Sequence, residues 1–235
     1  MNTALFSITP LGDSALIINY ENIISQATNY LVLESYQKIK HANLKGITDI
    51  VPAYSSISVF FNDDAIANDY KNYEDFYTDM SNKLYKVLSS KILLNNTKNK
   101  TIRIPVCYSL KYGIDLMEIS KLKNLSVQSI INLHTKNKYL VYMIGFLPGF
   151  PYMGEVDEQI ATPRKSNPRT NISAGSVGIA GKQTGIYPLA SPGGWQIIGR
   201  TPISLFIKHS QHPTLLSPGD EVEFYSITDD EFANY

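Results

Sequence analysis

Arg164, Lys165 and Arg169 lie within six residues of one another on ATPRKSNPR (161–169), a segment that Pro163 and Pro168 should stiffen. Guanidinium groups held on a stiff loop suit phosphate or carboxylate, because each can donate two parallel hydrogen bonds. From Gln159 to Gly219 there is no Asp or Glu, while Lys182, Arg200 and Lys208 add to the three cations of the loop. The chain as a whole is neutral, with 21 basic and 21 acidic residues. A positive region kept within a neutral chain points to an anion that it meets, with a solvated basic face as the alternative. Gln183 and Tyr187 follow with groups able to orient an amide. Trp195, the single tryptophan, stands after Pro192-Gly193-Gly194 and reads either as a stacking ring that closes a pocket or as core. IGFLPGFPYMG (144–154), with Phe150 at its centre, reads as the wall of an apolar pocket or as a partner-binding patch. The binding candidates are Lys165, Lys182, Trp195, Phe150, Arg200 and His134; the catalytic candidates are Arg164, Arg169, Gln183 and Tyr187. His134, on a helix face with apolar neighbours, also reads as a structural histidine.

Other chemistries lack their residues. Gly175, Gly178 and Gly181 precede Lys182, but Gln183 stands where a P-loop carries Ser or Thr, and the stretch is β-rich. These glycines either leave N–H groups free for an anion or make tight turns. GxSxG, HExxH and paired CxxC patterns are absent from the chain, so serine-hydrolase and zinc readings have no footing. Glu155 and Asp157 are nearby carboxylates that read either as acid–base groups or Mg²⁺ ligands or, standing alone, as solvated side chains, and no metal site is assigned to them. The lone Cys107 reads as inert, with no disulfide to form.

The elements that must hold these residues follow from periodicity and punctuation. Ala4–Leu11 and Ser14–Tyr20 read as strands, then a helix capped by Asn22 runs to Ala42 with Ile24, Ala27, Leu31 and Ile39 on its apolar stripe. Strands at Ile47–Val51 and Ser56–Phe61 and a helix over Asp69–Ser90 complete a β-β-α-β-β-α unit with an antiparallel sheet, an α+β domain over residues 1–94. The polar run 95–100 reads as a linker. In 101–235, a strand over Ile102–Val106 is placed near a sheet edge by Pro105. Asp115 and Glu118 are spaced as a capping box, Ser126 opens a second helix, and Tyr139–Leu147 is a strand. Ten of the fourteen glycines and seven of the twelve prolines fall between Gly145 and Pro202, a density that suits short barrel strands joined by tight turns. Asp220–Ile227 should close the barrel.

At 235 residues with 43% hydrophobic content, the chain is long enough for one large domain or two modest ones. Zero net charge argues against nucleic acid or an anionic membrane as partner. The N-terminus has no basic region and is interrupted by Pro10, Gly12 and Asp13, so it does not read as a signal peptide, and the expected setting is the cytoplasm.

The segments 144–154, 161–169, SAGSVGIAGKQTGIYPLASPGGWQIIGRTP (173–202) and SPGDEVEF (217–224) together resemble the family of KipI and the B subunit of 5-oxoprolinase. LGDSAL (11–16), DIVPAYSSISVFF (49–61), IPVCY (104–108) and Asp115-Leu116 extend the likeness over nearly the whole chain. That family includes the carboxyltransferase domain, subdomains C and D, of urea carboxylase and is also described as allophanate hydrolase subunit 1-like. Ser109-Leu110 departs from it, at a turn where the family has Gly-Gly. The resemblance implies an α+β N-terminal domain followed by a mainly-β cyclophilin-like barrel. It implies ATP-dependent opening of 5-oxo-L-proline to L-glutamate, shared with the A and C subunits of 5-oxoprolinase, with Mg²⁺ accompanying ATP. A chain inactive alone is expected. A second implied role is KipI-like binding and inhibition of a sensor histidine kinase, without turnover.

Overall fold

A computed structural model describes residues 5–62, 70, 72–90 and 100–235. The chain divides into two compact units, residues 1–98 and 99–235. The expected linker, 95–100, lies outside the described residues except for Lys100.

In the first unit, β1 (Ser7–Pro10), β2 (Ala15–Asn19), β3 (Ile47–Pro52) and β4 (Ser56–Phe61) form an antiparallel sheet in the order β1-β2-β4-β3. Helix α1 (Gln26–Ala42) begins three residues later than its sequence suggests. Ser25, not Asn22, caps it by accepting from the Thr28 N–H. The buried face turns accordingly: Thr28, Val32 and Ile39 face the core, while Ile24 and Leu31 are exposed. In α2 (Tyr73–Ser89), capped by Asn72, Phe76, Met80, Leu84 and Leu88 recur every fourth residue and make one apolar stripe. Both helices pack with Leu16, Ile18, Ile57 and Val59 of the sheet.

The second unit is a closed barrel. Its strands are β5 (Thr101–Cys107), β6 (Lys138–Ile144), β7 (Pro151–Gly154), β9 (Ser176–Ala180), β10 (Gln183–Ile186), β12 (Gln196–Arg200) and β13 (Glu221–Ile227), in the order β10-β7-β6-β13-β5-β12-β9. Two short strands, β8 (Arg169–Ile172) and β11 (Ser191–Gly193), pair with each other outside it. Helices α3 (Leu116–Lys123), α4 (Val127–Lys136) and α5 (Asp229–Ala233) complete the unit. β5 and β13 run parallel along their whole lengths, from Thr101↔Glu221 to Cys107↔Ile227. On its other side β5 meets β12 only at Cys107↔Arg200, which leaves an open seam along the rest of the strand, while Pro105 lies opposite Tyr225 of β13. The Ser109-Leu110 turn is held by the Ser109 hydroxyl, which donates to Asp229 at 2.9 Å.

Glycines let side chains reach the barrel wall. A Cβ on Gly185 would stand 2.9 Å from Trp195 Cζ3, 2.9 Å from the Pro151 carbonyl and 3.0 Å from Phe150 Cζ. The bare strand there is the surface on which both rings rest.

His134 is fully buried in the barrel core and is therefore not a ligand-facing residue. Its Nδ1 lies 2.8 Å from the Tyr108 hydroxyl and its Nε2 2.9 Å from the Thr184 hydroxyl, and its ring stacks on Phe224. Burial pushes its pKa down to about 3.

The Gly185→Ala variant should lose about 1–3 kcal/mol of stability by overpacking, read as a lowered urea midpoint in Trp195 emission. The unfolded chain protonates His134 near its ordinary pKa of 6.5, whereas the folded chain does so only near 3. His134 therefore adds its full stabilisation above 6.5 and loses about 1.4 kcal/mol per pH unit as the pH falls from there towards 3. Midpoints measured at pH 7.5 and 5.5 should differ less in His134→Gln than in the parent, by about 1.4 kcal/mol. An equal difference in both proteins would refute the assignment.

Candidate functional site

The site grows from one carboxylate. The Asp115 side chain is only 2% exposed. It does not cap α3, although it precedes that helix, since no cap hydrogen bond forms. Instead Asp115 clasps β12: its backbone N–H donates to the Ile197 carbonyl at 2.9 Å, and its Oδ2 accepts from the Ile197 N–H at 2.6 Å. These are the two groups that a neighbouring strand would satisfy, supplied here by a single residue at the open seam. Its Oδ1 accepts from Arg169 Nη2 and stands 3.1 Å from Lys165 Nζ. Glu118, the other half of the expected capping box, binds Lys165 at 2.7 Å. This bond, more than the one to Asp115, holds the Lys165 ammonium pKa above its usual value. The acid-free window is thus met by two carboxylates from an earlier segment of the chain.

Loop 161–169 is pinned at several further points. The Lys165 N–H donates to the Gly194 carbonyl at 2.7 Å, the Gln196 side chain donates to the Pro163 carbonyl at 3.1 Å, and Arg169 enters β8 opposite Gly193. The loop is thereby laid across the residues around Trp195. Its Arg164 is exposed, with its guanidinium carbon 5.9 Å from the centre of the Trp195 ring, within cation–π range. Beneath lies an aromatic floor: Phe150 meets Tyr187 edge-on at 5.2 Å and Trp195 at 5.3 Å, and Tyr152 lies 4.8 Å from Phe150. Burial raises the Tyr187 pKa. The Trp195 backbone N–H bonded to its hydroxyl opposes that rise, as do the charges of Arg164 and Arg169. Both arginines therefore act on one point of the floor.

Six of the ten candidate residues come together here: Arg164, Lys165, Arg169, Phe150, Tyr187 and Trp195. Phe150, Tyr187 and Trp195 are buried and act as floor. The other four lie elsewhere. Gln183 begins β10 and Tyr187 follows its end, so the two are about 13 Å apart at the usual rise of a strand. Lys182, beside Gln183, pairs with Glu158 on the surface. Arg200 donates to the Ala174 carbonyl at 2.8 Å and lies over Tyr112 and Phe232, at the opposite end of β12 from Trp195. His134 is in the core.

The glycine run makes no anion cradle. Gly175 and Gly181 adopt left-handed turns and donate their N–H groups to the Tyr187 and Thr162 carbonyls, while Gly178 pairs within the barrel under Trp195. The second half of 144–154 is largely interior, with Gly149, Phe150, Pro151, Met153 and Gly154 buried, while Phe146 and Pro148 are exposed. Sequence reasoning missed Asp115, Glu118, Tyr152 and Gln196. The strongest available signal was the acid-free window itself, since so many cations require carboxylates from elsewhere in the chain.

Among the described residues no helix is long and apolar enough to cross a membrane, and no three His, Cys, Asp or Glu side chains gather as a metal-binding group. The family model for the carboxyltransferase domain, subdomain C and D, matches residues 6–216. The chain is 38% identical to the B subunit of 5-oxoprolinase from Bacillus subtilis, over 99% of its own length and 98% of that protein. A solved structure of a conserved uncharacterized protein from Pyrococcus horikoshii is 40% identical, with a TM-score of 0.56 over 96% of this chain and all of that one. The Kluyveromyces lactis urea carboxylase structure is 21% identical with a TM-score of 0.74, and it shares the fold over 97% of this chain and 22% of its own. Matched by this family model over residues 6–216 and by the Bacillus subtilis protein over nearly its whole length, the chain belongs to the carboxyltransferase domain, subdomain C and D, family.

Proposed function

We propose that this chain is the B subunit of an ATP-dependent 5-oxoprolinase, working with the A and C subunits to open 5-oxo-L-proline to L-glutamate. The observation that carries the reading is Arg164. It has no carboxylate partner among the described residues, and it is held over an aromatic floor in a chain 38% identical to a protein of that name.

The chemistry explains what such a site contributes. A lactam is a poor electrophile and its nitrogen a poor leaving group near neutral pH. Attack of the amide oxygen on the γ-phosphorus of ATP releases ADP and leaves a carbon that water can add to. The ring C–N bond then breaks as nitrogen gains a proton, and the acyl phosphate formed gives glutamate and phosphate with a second water. Each step gains from a substrate that is held still beside fixed positive charge. In this reading Arg164 contacts the substrate, Arg169 and Lys165 shape the field, and Trp195, Phe150 and Tyr187 form the support. Two features favour a nucleotide site elsewhere in the assembly: the Gly175 and Gly181 N–H groups are taken by the Tyr187 and Thr162 carbonyls, and the sequence carries no P-loop. ATP and its Mg²⁺ are therefore assigned to a site completed by a partner subunit.

The test is release of ADP and glutamate from 5-oxo-L-proline by the three subunits together, each omitted in turn. Glutamate should form only with all three. Replacing Arg164 by alanine should cost about 2–4 kcal/mol in kcat/KM. Near-normal turnover in that variant would remove Arg164 from the reaction. An assembled complex without turnover would remove the enzymatic reading.

A further inference from the structure

Among the described residues three that are not glycine take left-handed backbone: Asn43, Asn124 and Phe146. Asn43 and Asn124 end helices, where asparagine is tolerated in that conformation. Phe146 is different. Its φ is 67°, and the Leu147 N–H donates across it to the Gly145 carbonyl at 2.8 Å, so it stands at the centre of a γ-turn of positive φ, the rare and strained form. The turn is tightly closed. The Gly145 N–H donates to the Phe150 carbonyl at 3.1 Å, and the Phe150 N–H to the Leu147 carbonyl at 3.0 Å. Glycine would adopt this backbone at no steric cost. The Phe146 ring meets Phe150 and Tyr187 edge-on, at 5.6 and 6.4 Å, yet the residue is 61% exposed. Backbone strain and an uncovered ring both disfavour phenylalanine here in the chain by itself, and such strain gathers where a protein meets a ligand or a partner.

We propose that Phe146 is the docking anchor for a companion subunit, the one that supplies the nucleotide, and that its ring enters an apolar pocket on that subunit. The inference rests on the proposed function and deepens it by naming where that partner lands. Two observations choose the occupant. Phe146 belongs to the same run of rings as the site: it meets Phe150, Phe150 meets Trp195, and Arg164 lies over Trp195. A subunit that brings ATP to a substrate held at Arg164 closes over ground adjoining Phe146. In addition, IGFLPGFPYMG (144–154) has no charged residue, and Pro148 is exposed beside Phe146. The contact on offer is therefore apolar and suits a pocket of the same kind on a protein partner. The two sequence readings of this segment divide between its halves: the second half is largely wall, and Phe146 with Pro148 is the partner-binding edge.

The full chain is mixed with purified A and C subunits, singly and together, without ATP or 5-oxo-L-proline, and binding is followed by calorimetry. The parent should bind, and Phe146→Ala and Phe146→Gly should each weaken that binding at least about tenfold. In urea, read by the emission of Trp195, Phe146→Gly should unfold at a higher midpoint than Phe146→Ala, the reverse of the usual order of these two residues. The same transitions show that both variants fold. In the three-subunit assay both variants should lose glutamate formation when the companion subunits are limiting and regain the parental kcat when these are in excess, a recovery that a residue acting on the substrate would not show. Variants that bind as tightly as the parent would overturn the proposal, and glutamate formation in the same assembly would leave the enzymatic reading standing. A parent chain that binds neither subunit, or a glycine variant no more stable than the alanine variant, would also overturn it. So would self-association of the chain that the variants abolish, by placing a second copy over the ring. Binding lost in the variants of an assembly that forms no glutamate even with the parent chain would uphold the anchor and retire the enzymatic reading.

Discussion

A single buried carboxylate joins the barrel to its surface chemistry. Asp115 satisfies both backbone groups of Ile197 on the side of β12 where β5 pairs only at Arg200, and the same side chain holds Arg169 and Lys165. Burying an isolated carboxylate is highly unfavourable, so the cations are required by the clasp as much as the clasp is required by the cations. The consequence is geometric. The ends of loop 161–169, and with them Arg164 between, are referred to β12, the strand that Trp195 immediately precedes. Guanidinium and indole are positioned from one origin.

That arrangement separates two uses of positive charge that look alike in a sequence. Lys165, Arg169, Lys182 and Arg200 are consumed inside the molecule, by carboxylates or by a backbone carbonyl. Among the described residues Arg164 meets an aromatic face and no carboxylate. In the proposed function this guanidinium is the chain's share of substrate recognition, and the phosphoryl chemistry belongs to the assembly.

Much of the fold was legible because its causes are local. The glycine and proline density of 145–202 marks tight turns between short strands, and Phe76, Met80, Leu84 and Leu88 repeat at helical spacing whatever surrounds them. What escaped depended on distant partners. Asn22 and Ser25 are both competent caps, and the choice of Ser25 sets which face of α1 is buried. Asp115 and Glu118 have the spacing of a capping box, yet ion pairs with residues about fifty positions away draw both carboxylates off that role. Six site residues are recognisable from their chemistry, but Gln183 and Arg200 are near them only in sequence, and strand direction carries Gln183 to the far end of β10 from Tyr187 and Arg200 to the far end of β12 from Trp195.

The parallel pairing of β5 with β13 has a bearing on how the barrel comes into being. The first and last strands of the unit are neighbours, Thr101 opposite Glu221, so the ring closes across 120 positions of chain. The hairpin pairings β6–β7 and β9–β10 are local and can form early, but the ring stays open until the final strand is available. During synthesis the barrel therefore completes only after Ile227 has left the ribosome, while the first unit, whose sheet and helices lie wholly before it, can already be folded. Until then the inward faces of β5 and β6 are apolar and uncovered, which makes the interval before closure the time at which this chain is most exposed to aggregation and most in need of a chaperone.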